Sequence, residues 1–277
     1  MKKVFLALSV LVVAMLVLGV FTPQPAFSAS DEGKTRVMVQ FKPGTRGAVE
    51  KVLNGVGAQY HYAFKELNVL AVTVPENAIA GLSRNPNVVL VEEDVMRYPI
   101  GITPSTRESV AMVDLPEQVV PYGIDMVQAR DVWDANRDGA VDVGAPTGSN
   151  RTVCIIDSGV YKTHEDLQGL NIIGGYTTIS GGWDADGSGH GTHVTGTIAA
   201  MNNALGVVGV TPGTVKLYFV RVFGDDGAWA YSSTLIDAAN RCAAAGANII
   251  SMSLGGSRSN TTERRGFDTL YSKGVLS

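Results

Sequence analysis

An α/β protein built on a parallel sheet, preceded by a smaller α+β unit, is the fold class that this sequence predicts. Three observations carry the prediction. In the second half of the chain, near-continuous apolar strands (TVCIID, KLYFVRV, ANIISMSL) alternate with helical stretches, the pattern of a parallel sheet covered on both faces. Between Thr35 and about Tyr98 the strands are shorter and alternate with two short helices. The composition, 277 residues with 45% hydrophobic, 17% charged and 32 glycines, provides core material for one large domain or two unequal ones.

Residues 1–30 read as a secretory signal. Lys2 and Lys3 form the basic start, Val4 to Phe21 is apolar, and Pro23 and Pro25 break the run ahead of Ala26 and Ser28, a small-x-small cleavage pattern. Cleavage after Ser28 or Ser30 is expected. The apolar run approaches the length of a bilayer span, so an uncleaved anchor competes with this reading, and the small-residue site favours removal. The expected product is secreted and extracellular, with no stable membrane association once the signal is gone. Cys154 and Cys242 are the two cysteines of the chain. In an oxidising compartment they can pair, yet each also sits in an apolar element where a buried free thiol is an equal reading. A net charge of −4, with no dense Lys/Arg cluster beyond the first residues, leaves no electrostatic footprint for nucleic acid.

Residues 35–98 form the smaller unit. TRVMVQF alternates as a strand, residues 46–56 have helical spacing, LNVLAVTV is a second strand, residues 76–85 a short helix, and NVVLVEED a closing strand. Residues 99–116, with Pro99, Pro104 and Pro116 among Ser, Thr and Arg, read as an extended linker. The larger unit, 117–277, predicts strand TVCIID, a helix opening near His190, strand KLYFVRV, a helix over 232–245, strand ANIISMSL and a helix over 260–273. KGVLS begins the next core strand.

Parallel sheets gather their chemistry at the C-terminal ends of strands, where Asp157 and the SLGG segment fall. An Asp ending a buried strand is often only a turn residue, but in DSG the pair Ser158–Gly159 permits a tight turn directly after the Asp157 carboxylate. In HGTH, His190 opens a helix, Gly191 allows close backbone approach, and HVTGTIAAM supplies an apolar helix face. His190 and His193 with Asp157 could reach a zinc ion. No Glu follows His190 as it does in HExxH zincins, however. DANRDGAVD, with Asp134, Asn136, Asp138, Gly139 and Asp142, imitates the front of an EF-hand loop but lacks the closing Glu. An Asp/Asn-rich turn after a helix explains it equally well.

With DSG, HGTHVTG and MSLGG in this order, the chain from about Glu117 resembles the subtilisin-like serine proteases. Residues 35–98, ending VVLVEEDV, resemble their small, ferredoxin-like inhibitory propeptide. The resemblance implies a zymogen of a secreted serine endopeptidase acting on protein or peptide substrates, with its own propeptide packed on it in cis and the propeptide tail in the substrate cleft. It implies His190 as the general base, and Asp157 as the group that holds the imidazole tautomer and stabilises the imidazolium. Gly227, Ala228 and Trp229 on one side, and Ser253, Leu254 and Gly255 on the other, would pair with extended substrate. A calcium ion is implied by MNNALGVVG: carbonyls of Met201, Leu205 and Val207 and the Asn203 side chain, joined by Gln118 and Asp166. The family's mature enzyme starts close to the motif seen here as EQVVPYGIDMVQA, so a processing cut in the linker, near Glu117, is expected.

No GTSMA-like nucleophile motif occurs in the sequence. Ser158 follows Asp157, Ser253 lies in a substrate strand, and Ser277 is the last residue; the family's oxyanion Asn is missing as well. The expectation is a C-terminally incomplete piece of the zymogen, without peptidase activity and with an apolar sheet edge open to water. The alternative is a non-catalytic pseudoprotease or a propeptide-type protease inhibitor. The presence of both Asp157 and His190 favours the enzyme.

Overall fold

The computed structural model describes residues 33–101, 118–227 and 229–277. The signal segment, most of the linker, Glu117 and Ala228 lie outside the described residues.

The smaller unit contains β1 (Lys34–Phe41), α1 (Arg46–Gly55), β2 (Gln59–Phe64), β3 (Val69–Pro75), α2 (Glu76–Ser83) and β4 (Val88–Glu93). Its sheet is antiparallel, in the order β2-β3-β1-β4. Val37, Val39 and Phe41 of β1 and Leu70, Val72 and Val74 of β3 meet Val49 and Leu53 of α1 and Leu82 of α2 in one core. The other face is also covered. Met38, Val69 and Ala71 pack there with Phe64, Leu67 and Ile236, the last from the larger unit. Strand β2 is not among the strands that the sequence predicts. QYHYAF is an edge strand with a register shift between Tyr60 and Tyr62, and it buries only Phe64, so no clean two-residue alternation marks it.

Beyond the smaller unit come β5 (Met96–Pro99), the short helices α3 (Tyr122–Met126) and α4 (Ala129–Trp133), β6 (Thr152–Asp157), a 3₁₀ turn (Glu165–Leu167) and β7 (Asn171–Thr177). They are followed by α5 (His190–Ala199), β8 (Lys216–Arg221), β9 (Ala230–Tyr231), α6 (Ser232–Ala244), β10 (Ile249–Ser251), β11 (Leu254–Gly255) and α7 (Thr261–Ser272). The central sheet is parallel, in the order β10-β6-β8-β7. Every residue of β6 is buried. Val153 and Ile155 pack on one side with Leu217, Phe219 and Ala199 of α5, while Cys154 and Ile156 pack on the other with Leu235 and Ala239 of α6. Burial on both faces is why TVCIID reads as continuously apolar. Strand β7, NIIGGYT, escapes the sequence reading because it is an edge strand with two central glycines. In KGVLS, where the sequence predicts the start of a core strand, Leu276 makes a single parallel bridge to Ile249 of β10.

Cys154 of β6 and Cys242 of α6 form a disulfide inside the core between sheet and helix. Among the described residues, no helix is long and apolar enough to cross a membrane.

The disulfide closes a span of 88 residues. Replacing both cysteines by alanine is expected to lower the unfolding free energy by about 2–4 kcal/mol in urea titrations. A variant as stable as the wild type would show that the bond adds nothing beyond core packing.

Candidate active site

Asp157 ends β6 and His190 opens α5, and the fold brings both side chains, buried, to the same point. Nδ1 of His190 lies 2.6 Å from Oδ1 of Asp157, an oxygen that also accepts the backbone N–H of Ser158 at 2.7 Å. The approach depends on two glycines. A Cβ on Gly191 would stand 2.1 Å from the carbonyl oxygen of Gly159, and one on Gly159 would stand 2.1 Å from that of Ala185. Strand end and helix start therefore touch backbone to backbone.

Asp186 is a member of this arrangement that the sequence reading did not single out. Its Oδ1 accepts from the Ser158 hydroxyl at 2.8 Å and the Gly189 N–H at 2.9 Å, and its Oδ2 from the N–H and hydroxyl of Thr192 at 2.8 and 2.6 Å. The Ser158 hydroxyl in turn accepts the N–H of Gly191 at 2.9 Å. The cap position of α5 is Gly189, which has no side chain to offer, so Asp186 supplies the negative charge that the helix N-terminus attracts. The signal was present in DADGSGHGTH: a carboxylate one turn ahead of a helix that opens on glycine.

Burial pushes the Asp157 carboxyl above the ordinary carboxylate range, against the pull of its bonds to His190 and Ser158. For His190, burial draws the imidazole down. The bond to Asp157 and a second bond, from Nε2 to the Ile100 carbonyl at 2.9 Å, outweigh burial and hold it above its ordinary value. Acceptors at both ring nitrogens are satisfied together only by an imidazolium, because a neutral ring has one N–H.

Ile100 reaches His190 at the end of an extended tail. Strand β5 lies between β9 and β11 in a three-stranded antiparallel sheet. Tyr98 pairs with Gly255 and Pro99 with Leu254, and the N–H of Ile100 donates to the Ser253 carbonyl at 2.9 Å. On the other edge Met96 pairs with Tyr231 and Arg97 with Ala230. Ser253, Leu254 and Gly255 thus line the tail. Opposite them, the paired residues are Ala230 and Tyr231, immediately after the expected Gly227 and Trp229; Trp229 sits edge-on to the Tyr231 ring at 4.5 Å, and Ala228 is not described.

The acidic turn before the tail is locked onto two helix N-termini. Asp94 accepts from the hydroxyl of Ser232 and from both the N–H and hydroxyl of Ser233, at the start of α6, and from Arg36 at 2.8 Å. Glu92 accepts from the N–H groups of Thr261 and Thr262 and from the Thr262 hydroxyl, at the start of α7.

The residues proposed from sequence to hold a cation converge. The carbonyls of Met201, Leu205 and Val207 and Oδ1 of Asn203 all lie within 2.7–3.3 Å of one atom, the amide nitrogen of Gln118. An amide nitrogen has two protons for these four oxygens, so its bonding leaves acceptors unsatisfied. Beside the cage, Oδ1 of Asp166 is buried with no hydrogen-bond partner, while Oδ2 accepts the N–H of Val207. A cage of oxygens with an orphaned carboxylate oxygen fits a hard cation. The DANRDGAVD loop does not fit one. Asp134 accepts from Gly139 N–H and Arg130, Asn136 from Asp138 N–H, Asp138 from Ala140 N–H, and Asp142 from Ala135 N–H. Its oxygens are engaged by the turn and by Arg130, so of the two equal readings of DANRDGAVD the hydrogen bonds support the Asp/Asn-rich turn. No group of three or more His, Cys, Asp or Glu side chains able to hold a metal occurs among the described residues, His190 and His193 included.

Comparison with known proteins agrees with this geometry. Residues 148–273 match the subtilase family, Peptidase_S8. Subtilisin E from Bacillus subtilis (strain 168) is 34% identical over 227 residues, 81% of this chain and 52% of that protein. Subtilisin DY from Bacillus licheniformis is 37% identical over 160 residues, 57% of this chain and 53% of that protein. The chain therefore spans about half the length of the curated relatives it matches. In fold, it is similar to fervidolysin from Fervidobacterium pennivorans, described as a keratinolytic enzyme related to subtilisin, with a TM-score of 0.62 over 90% of this chain and 40% of that one at 22% identity. With a parallel α/β sheet, the paired Asp157 and His190 and these relatives in agreement, residues 148–273 form a domain of the subtilase family, similar to the subtilisins.

Proposed function

We propose that the chain is part of a secreted serine endopeptidase zymogen, in which residues 35–98 act as an inhibitory propeptide whose tail fills the substrate cleft in cis. The observation that carries this reading is the position of Ile100. Its carbonyl meets the imidazole of His190 while strand β5 pairs on both edges, as an extended peptide would bind ahead of a bond to be cut. In the reaction, His190 takes the proton of a serine hydroxyl and returns it to the leaving amine, and Asp157 fixes the Nδ1–H tautomer and stabilises the imidazolium. The serine that His190 would serve is not identified among these residues. The same position of Ile100 supports Ile100–Gly101 as the processed bond, inside the 99–116 linker, in preference to a bond near Glu117.

A calcium ion is the second part of the proposal. Met201, Leu205 and Val207 would hold it through carbonyls, with Asn203, Gln118 and Asp166 through side chains, once the Gln118 amide turns its oxygen inward. When bound, calcium supplies the positive charge that the oxygens lack. It would tie the segment at Gln118, already paired through Val119 and Val207, to the loop that follows α5.

In protein expressed from the complete reading frame, casein hydrolysis is expected, with Gly101 as the new N-terminus, and His190→Ala should lower kcat by about 10⁴–10⁶-fold. Hydrolysis undiminished in His190→Ala sinks the triad assignment, and a different N-terminus sinks the assigned bond. Calcium at about 100 times its Kd should add about 2.7 kcal/mol to stability, read as a rise in the thermal midpoint that chelation reverses. Asp166→Ala should shrink that rise; an equal rise in wild type and variant would remove Asp166 from the site.

Tail docking should also depend on pH. The raised His190 value favours the docked, protonated state at low pH, and that contribution is lost as pH climbs through the elevated value, above the ordinary 6.5. Asp157 and Asp186 are the charged groups acting on the ring. Amide protection of Ile100, corrected for intrinsic exchange, should fall across this range in wild type; a flat profile would show that the imidazolium does not hold the tail.

A further inference from the structure

The fourth residue of the tail, counting back from Ile100, is Arg97, and its side chain is almost entirely buried, with 6% of the residue exposed. Its Nε donates to Oε1 of Glu263 at 2.9 Å, its Nη2 pairs with Oε2 of the same carboxylate, and its Nη1 donates to the Met96 carbonyl at 3.0 Å. This is the two-pronged guanidinium–carboxylate geometry that an ammonium group cannot reproduce. Glu263 does not depend on the tail for its position. It lies in the first turn of α7, where its N–H donates to Oδ1 of the helix cap Asn260 at 2.9 Å. Gly256 leaves the room: a Cβ there would stand 2.5 Å from Nη1 of Arg97. A carboxylate with 12% of its side chain exposed, left without its arginine, is a buried charge in need of a partner.

We propose that Glu263 makes the cleft selective for arginine at the fourth residue before the cleaved bond. The proposal rests on reading the tail as a bound substrate. When the tail leaves, the carboxylate, the glycine gap and the paired edges of β9 and β11 remain, and an entering peptide meets the same requirement that Arg97 fulfils. Uncharged residues at that position leave Glu263 unpaired, and acidic ones are repelled.

The test uses the 277-residue chain with Arg97→Glu, which places two carboxylates face to face and should expel the tail, read as loss of hydrogen-exchange protection across β5. Near-UV circular dichroism checks that the core is intact, and Arg97→Leu serves as a second tail variant. Fluorescein-labelled peptides Ala-Arg-Tyr-Pro-Ile and Ala-Leu-Tyr-Pro-Ile are then titrated against the opened cleft by anisotropy. The arginine peptide should bind at least tenfold more tightly, and Glu263→Gln added to the same chain should erase the difference. Equal binding of the two peptides overturns the selectivity while leaving the cleft reading in place. Full protection of β5 in Arg97→Glu also overturns it, since Glu263 would then not read that position. Binding of neither peptide to an opened cleft overturns the substrate-like reading of the tail, and the selectivity with it.

Discussion

The contact between the end of β6 and the start of α5 is the constraint on which the site depends. A hydrogen bond of 2.6 Å between two buried side chains needs both main chains placed to within a few tenths of an ångström. Gly191 has no Cβ to strike the Gly159 carbonyl, Gly159 has none to strike the backbone at Ala185, and Asp186 fastens the turn after β6 to the first turn of α5 through Ser158, Gly189 and Thr192. Asp157 carries an oxygen, Oδ2, that is buried with no partner. The desolvation that this entails is the same effect that raises its pKa, and it concentrates the carboxylate's interaction on the one oxygen that faces His190.

The smaller unit is held to the larger one by the same electrostatics at two further helix starts. Asp94 and Glu92 stand two residues apart and reach the N-termini of α6 and α7, where unpaired N–H groups and the helix dipole favour negative charge. Each such contact is worth only about 0.3–2 kcal/mol by itself. Asp94 is almost fully buried, however, so its desolvation cost is large, and the four bonds that it accepts, one from Arg36, are what make burial tolerable. Arg36 also lies 3.9 Å over the Tyr231 ring, next to the tail. Apolar packing of Met38 and Ala71 around Ile236 supplies adhesion, while the two carboxylates set the register in which β5 enters between β9 and β11.

The parallel sheet and its helices are legible in the sequence because TVCIID and KLYFVRV are buried on both faces and HVTGTIAAM is a smooth apolar helix. Asp157 and His190 are legible because DSG and HGTH are contiguous motifs. The strands that escape are those whose signal is non-local. QYHYAF and NIIGGYT are edge strands, stabilised on one side by a neighbour that sequence order does not reveal. Residues 96–99 become a strand only because two distant segments pair with them, and their proline speaks against it locally. Glu263 escapes for the same reason: it is an ordinary surface-type acid until the fold brings Arg97 to it. The pairing of Cys154 with Cys242 is equally a property of the packed sheet and helix, 88 residues apart in the chain.

On the proposed reading, three polar sites are held by groups from the chain itself, and they differ in how well those groups suit them. At His190, one carbonyl accepts one proton, and the match is complete while the ring is protonated. At Glu263, a guanidinium offers two parallel donors to two oxygens, again a complete match. At the oxygen cage, an amide with two protons faces four acceptors while a neighbouring carboxylate oxygen has no partner. The first two occupants therefore lose free energy when they leave and must be displaced, by cleavage or by a peptide of matching chemistry. The third gains when it turns aside for a cation that can satisfy every oxygen at once, so metal binding there requires a rotation of one amide rather than a rearrangement of the backbone.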